Sequence, residues 1–135
     1  MGKTLECISA ADRAALRRGT DPWEVRAFYE LLRLYADTKP RFVALTAPLI
    51  AELREETDVS LGELCRKRQL SERRLRRLLA ARDRDDLVHQ LRSVIRILGR
   101  TANPDELVRL VRYWGDRARR GVAQDYFQPE ESKSD

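Results

Sequence analysis

Apolar residues recur every three or four positions along nearly all of this 135-residue chain, and short polar stretches punctuate the repeats. The first repeat covers residues 10–18 and stops at Gly19, a residue free to take the left-handed conformation that ends helices. A second opens with Asp21 as N-cap and Pro22 at the first position. It carries Trp23, Ala27, Leu31 and Leu34 on one stripe, which Phe28 and Leu32 widen. A third begins at Pro40 and runs, with an interruption at Pro48, to about Glu55, since an internal proline lacks the N–H donor and crowds the preceding turn. Residues 55–58 are polar enough to connect two lobes.

Beyond that connection, Ser60 and Glu63 stand at capping-box spacing for a short helix to Arg68. Ser71 caps another, in which Leu75, Leu78 and Leu79 face inward. Asp83 or Asp85 opens a longer helix whose core face is Leu87, Val88, Leu91, Val94, Ile95 and Leu98, and Gly99 stops it. Asn103, Pro104 and Glu106 supply cap, first-turn proline and first-turn acid for a last helix. Its Leu107, Val108, Leu110, Val111, Trp114, Ala118 and Val122 repeat at helical spacing, with bends expected at Gly115 and Gly121. Strand signals are absent. The pattern predicts an all-α protein of two small helical bundles packed into one compact body, an N-terminal lobe over 1–57 and a C-terminal lobe over 58–128. Residues 129–135 form a polar tail with nothing to bury, expected to be disordered.

Charge changes this picture from a plain helical domain to one with a functional surface. Residues 66–120 hold 17 Lys or Arg against 7 Asp or Glu, a net of +10, whereas the rest of the chain sums to −5. Of the 27 basic residues 23 are Arg, whose planar fork grips phosphate oxygens bidentately where a lysine acts as a point charge. Arg92, Arg96 and Arg100 fall at i, i+4 and i+8 on one helix, and like charges so aligned repel unless something anionic neutralises them. Arg73, Arg74 and Arg77 repeat the arrangement on the preceding helix, and Arg109, Arg112, Arg117, Arg119 and Arg120 extend it on the last. Such a regional footprint points to a polyanion, nucleic acid first. The plain alternative is a set of solvated helix faces.

Residues 60–81 also suit a helix-turn-helix with an Arg-rich second helix, the pattern of a DNA-binding transcriptional regulator, although the turn lacks the glycine common there. Catalysis has no support: His89 is the only histidine, and it lies on the flank of a core stripe without a nucleophile beside it. Asp83, Asp85 and Asp86 are expected to cap a helix rather than hold a metal. Cys7 and Cys65 have no metal-ligand spacing and are expected to be reduced thiols. No apolar run approaches the ~18 residues a membrane span needs, and no signal-peptide stretch opens the chain, so the expected location is cytoplasmic. No cofactor is expected.

A longer pattern covers most of the chain. DRAALRRG at 12–19, AFYELL at 27–32, SERRLRRLL at 71–79, QLRSVIRIL at 90–98, then YWGDRARR and DYF within 113–127, resemble in their order the CasB family, the small subunit of the type I-E CRISPR surveillance complex, Cascade. The resemblance implies a non-catalytic, all-helical subunit present with a second copy of itself beside other Cascade subunits. It implies contact with crRNA and with both strands of target DNA through their phosphate backbones, stabilising the opened duplex in antiviral defence. Carried over residue by residue, it places Arg17, Arg18 and Arg41 in that role, with Arg73, Arg74, Arg92, Arg117 and Arg119. The charge pattern adds Arg77 and Arg96. Asp116 occupies a position in the WGDR segment where the resemblance would accommodate a basic residue.

Overall fold

One helix is apolar on every side, and the rest of the molecule is arranged around it. The computed structural model describes residues 3–6 and 8–128, and in it Pro40–Glu52 forms a single helix, α4, following α1 (Lys3–Glu6), α2 (Ala10–Arg17) and α3 (Arg26–Leu34). A helix hydrophobic all round must be buried all round. Val43, Ala47, Ile50 and Ala51 of α4 pack with Leu16, Val25, Ala27, Phe28, Leu31 and Tyr35. Phe42, Leu49 and Leu53 point the other way, into a second cluster built by the later helices. This double burial carries α4 straight through Pro48, half-buried inside the helix, where sequence alone predicts an interruption.

The later helices are α5 (Leu61–Lys67), α6 (Glu72–Leu79), α7 (Arg84–Ile97), α8 (Pro104–Tyr113) and α9 (Asp116–Phe127). Their starts are local chemistry: Ser60 Oγ accepts from the Glu63 amide, Ser71 Oγ from Arg74, Asp83 Oδ1 from Asp86 and Asn103 Oδ1 from Asp105. Gly19 and Gly99 take positive φ where α2 and α7 stop, at +91° and +79°. Asp83, the first of the three clustered acids, is thereby a cap. Among the described residues the fold is all-α apart from two two-residue strands, β1 (Glu55–Glu56) and β2 (Thr101–Ala102), which pair in parallel. No strand is legible there because the pairing is made by tertiary neighbours: the exits of α4 and α7 run side by side, and the Arg54 amide donates to the Arg100 carbonyl at 2.8 Å.

Two further expectations are corrected. The second predicted helix divides: Asp21 caps a 3-10 turn over Pro22–Glu24, Val25 is extended, and α3 starts afresh. Trp23 is consequently about half exposed, stacked edge-on against Phe28 and Tyr29 rather than buried on a core stripe. The last predicted helix also divides, at Trp114 and Gly115. There the break lets the indole Nε1 donate to the Ala81 carbonyl at 2.8 Å, while Arg84 takes the carbonyls of Val111 and Arg112 at the end of α8. Trp114→Ala is therefore expected to cost about 2 kcal/mol, below the range for a fully enclosed tryptophan, because the ring is half-buried. Arg117→Ala, at an exposed site, is expected to leave thermal stability nearly unchanged; paired thermal denaturation of the two variants checks both. Cys7 and residues 129–135 lie outside the described residues.

Candidate nucleic-acid interface

Helix α6 buries Leu75 and Leu78 against the core, and its remaining faces carry arginine. Arg76 is paired with Glu72 at 3.0 Å, but Arg73, Arg74 and Arg77 are exposed and have no ion-pair partner among the described residues. With Ser71 they frame a shallow surface groove. Arg74 also borders a second groove, which α7 lines with His89, Arg92, Ser93 and Arg96. Arg92 in turn donates Nη2 to the Arg17 carbonyl at 2.6 Å, so the run reaches the end of α2, where Arg18 is exposed as the C-cap. Five of the sequence-predicted positions, Arg73, Arg74, Arg77, Arg92 and Arg96, thus line two adjoining grooves across α6 and α7, and the backbone of Arg17, next to the exposed Arg18, meets them at Arg92.

The line of guanidiniums on α7 has an internal counter-charge. Glu52, at the end of α4, has a side chain 1% exposed; its Oε2 accepts from Arg92 Nε at 2.7 Å and from Arg96 Nη2 at 2.8 Å. Arg100 Nη1 lies 3.2 Å from Oε1 without hydrogen-bond alignment. Burial would raise the Glu52 pKa, but the hydrogen bonds from Arg96 and Arg92 outweigh it and hold the carboxyl below its ordinary value. The alignment of Arg92, Arg96 and Arg100 therefore does not by itself require an external anion. Sequence reasoning missed Glu52. Its one signal is a lone acid closing a mostly apolar helix.

The other predicted positions are placed apart. Arg41 is exposed and stands over the Phe42 ring at 4.7 Å, sharing that ring with Arg84 at 4.8 Å. Arg117 is exposed beside Arg109 and Tyr113 on the open groove between α8 and α9. Arg119 is taken up inside the fold: it donates Nη2 to the Ala81 carbonyl at 2.8 Å, lies 3.2 Å from Asp116 and stacks over Trp114 at 5.2 Å. Asp116 accordingly serves Arg119. No described contact joins Arg41 or Arg117 to the run across α6 and α7.

Little here resembles a catalytic centre. His89 is exposed among arginines, and Cys65 is buried, its thiol pushed up to about 12 by burial and the nearby Glu106. Glu106, which accepts from the Leu61 amide at 2.7 Å, is itself raised by burial. No group of three or more metal-ligating side chains converges among the described residues, and no described helix is long and apolar enough to cross a membrane.

Comparison with known proteins adds a family. The model of the family described as CRISPR-associated protein Cse2 matches residues 8–127. A chain in the crystal structure of E. coli Cascade bound to a PAM-containing dsDNA target has a similar fold, with a TM-score of 0.69 and 23% identity over 92% of this chain and 89% of that one. No curated protein matches.

Proposed function

Since the chain belongs to the CRISPR-associated protein Cse2 family, we propose that it is a non-catalytic subunit of a crRNA-guided Cascade complex, holding target and displaced DNA strands by their backbones. Its partners in this reading are crRNA, both DNA strands, the other Cascade subunits and a second copy of itself. The observation that carries the reading is the exposed face of α6, where Arg73, Arg74 and Arg77 have no carboxylate partner among the described residues and continue into the arginines of α7. Unpaired guanidiniums in a row repel one another, and a phosphate backbone supplies the missing negative charge. That the solved relative in fold lies in a complex bound to double-stranded DNA supports the same reading.

The surface offers forks for phosphate and few planes for bases. Of the exposed aromatics among the described residues, Trp23 and Tyr29 sit together on the 3-10 turn and α3, and Tyr113 and Phe127 end α8 and α9, so that none belongs to α6 or α7. Base pairing between guide and target would then select sequence, and this subunit would hold what pairing opens. The isolated protein is expected to bind mixed-sequence DNA weakly, on the order of micromolar, with affinity falling steeply as salt rises. Selection from randomised duplex DNA checks this. Enrichment of one defined motif by ~10³ would instead establish α5 and α6 as a helix-turn-helix reader.

A further inference from the structure

We propose that Glu52 is the positioning residue of a phosphate seat: it holds Arg92 and Arg96 at the edge of the groove completed by Arg74, His89 and Ser93, where one backbone phosphate of a nucleic acid is gripped. The inference rests on the reading that this surface binds nucleic-acid backbone, and adds to it a defined place and a residue of the opposite charge that makes the place work.

Three guanidiniums converge on one carboxylate, so the cluster keeps a net charge of +2 with its ionic pairing inside the protein already made. Each guanidinium has five N–H donors in a rigid plane, and pinning one or two of them fixes where the others point. Arg96 uses Nη2 on Glu52 while its side chain remains 53% exposed. Arg92 is pinned twice, by Nε on Glu52 and by Nη2 on the Arg17 carbonyl, and still lines the groove. Across the groove stands Arg74 from α6, and on the same face of α7 His89 and Ser93, four residues apart, add an imidazole and a hydroxyl. The groove measures about 350 Å³ and no carboxylate lines it. A phosphodiester, with one negative charge and two oxygens free to accept, matches such a set of donors.

The role of Glu52 has a test whose sign differs from that of simple charge. Glu52→Gln removes a negative charge and raises the net from +5, so a surface acting by total charge should bind nucleic acid more tightly. A seat held by Glu52 should bind it more loosely, because a neutral amide holds the two guanidiniums less firmly than a carboxylate does and turns N–H donors toward the cation that Oε1 faces, Arg100. With the full-length protein and a labelled mixed-sequence single strand of about 30 nucleotides, we expect Glu52→Gln to weaken binding roughly 3- to 10-fold at moderate salt. Arg96→Lys, which keeps the net charge and the buried carboxylate paired, should weaken it comparably, because a compact ammonium drawn to Glu52 lacks the outward donors that the guanidinium holds in a fixed plane. Arg33→Lys, at an exposed site on α3 outside the basic region, should change nothing.

Arg96→Lys also decides the matter if Glu52→Gln does not fold. Wild-type affinity in Arg96→Lys, or tighter binding by folded Glu52→Gln, would overturn the seat while leaving backbone binding intact. A wild-type protein with no salt-dependent affinity for the strand would overturn the nucleic-acid reading and the seat with it.

Discussion

Gly62→Ala is expected to lower stability by about 3 kcal/mol, the upper part of the range for overpacking a filled interior. Gly62 lies on α5 where that helix crosses α9, and a Cβ there would stand 2.3 Å from the Val122 carbonyl oxygen and 2.7 Å from Asp125 Cβ. The first of these is backbone and cannot swing aside, so the helices themselves must separate. Separation would strain the other attachments of α9, including the hydrogen bond from the Tyr126 hydroxyl to the Leu70 carbonyl at 2.5 Å and that from Arg66 to the Gln128 carbonyl. Thermal denaturation followed by circular dichroism should show Tm lowered by roughly 10 °C. An unchanged Tm would mean that α5 and α9 do not meet at Gly62.

Glu52→Ala is expected to cost about 3 kcal/mol, the low end for removing one partner of a buried ion pair. The low end applies because Arg92, Arg96 and Arg100 are 28%, 53% and 29% exposed and can regain water, whereas Glu52 itself is enclosed. The effect carries a pH signature. The folded protein holds the Glu52 carboxyl below its ordinary 4.5 despite burial, through the hydrogen bonds from Arg96 and Arg92. Its contribution is then fully present above the unfolded value and is lost as pH falls through the folded one. Wild type and Glu52→Ala should differ by a constant amount at neutral pH and converge in acid below about pH 4.5. Urea titrations at several pH values measure this, and a gap that widened in acid would contradict the pairing.

What could be read from the sequence, and what could not, divides by the range of the interaction responsible. The caps at Ser60, Ser71, Asp83 and Asn103 are side-chain bonds to amides two or three residues on, so local sequence is enough to place them. The turns at Gly19 and Gly99 are likewise local. The course of α4 through Pro48, the extended Val25 that turns Trp23 outward, and the break before α9 depend on what packs from elsewhere in the chain. For the interface, the arginines were legible as helical spacing, and the exposed face of α6 follows from it. The fate of individual guanidiniums was not, because it depends on carbonyls and carboxylates distant in sequence. Arg119 is held by Ala81 and Asp116, and Arg92 by Glu52 and Arg17.

The most direct test of the central claim is target-DNA retention by Cascade rebuilt with Arg73, Arg74 and Arg77 all changed to Glu. The three are exposed on α6 and carry no part of its core face, so the variant should fold and assemble. Retention of the opened target at two salt concentrations, with incorporation of the subunit verified, should fall sharply for the variant and, relative to wild type, most at the lower salt, where the lost phosphate contacts are strongest, while guide-RNA content stays as in the wild type. Wild-type retention by fully assembled complexes would contradict the account and leave the subunit a scaffold whose arginines face solvent.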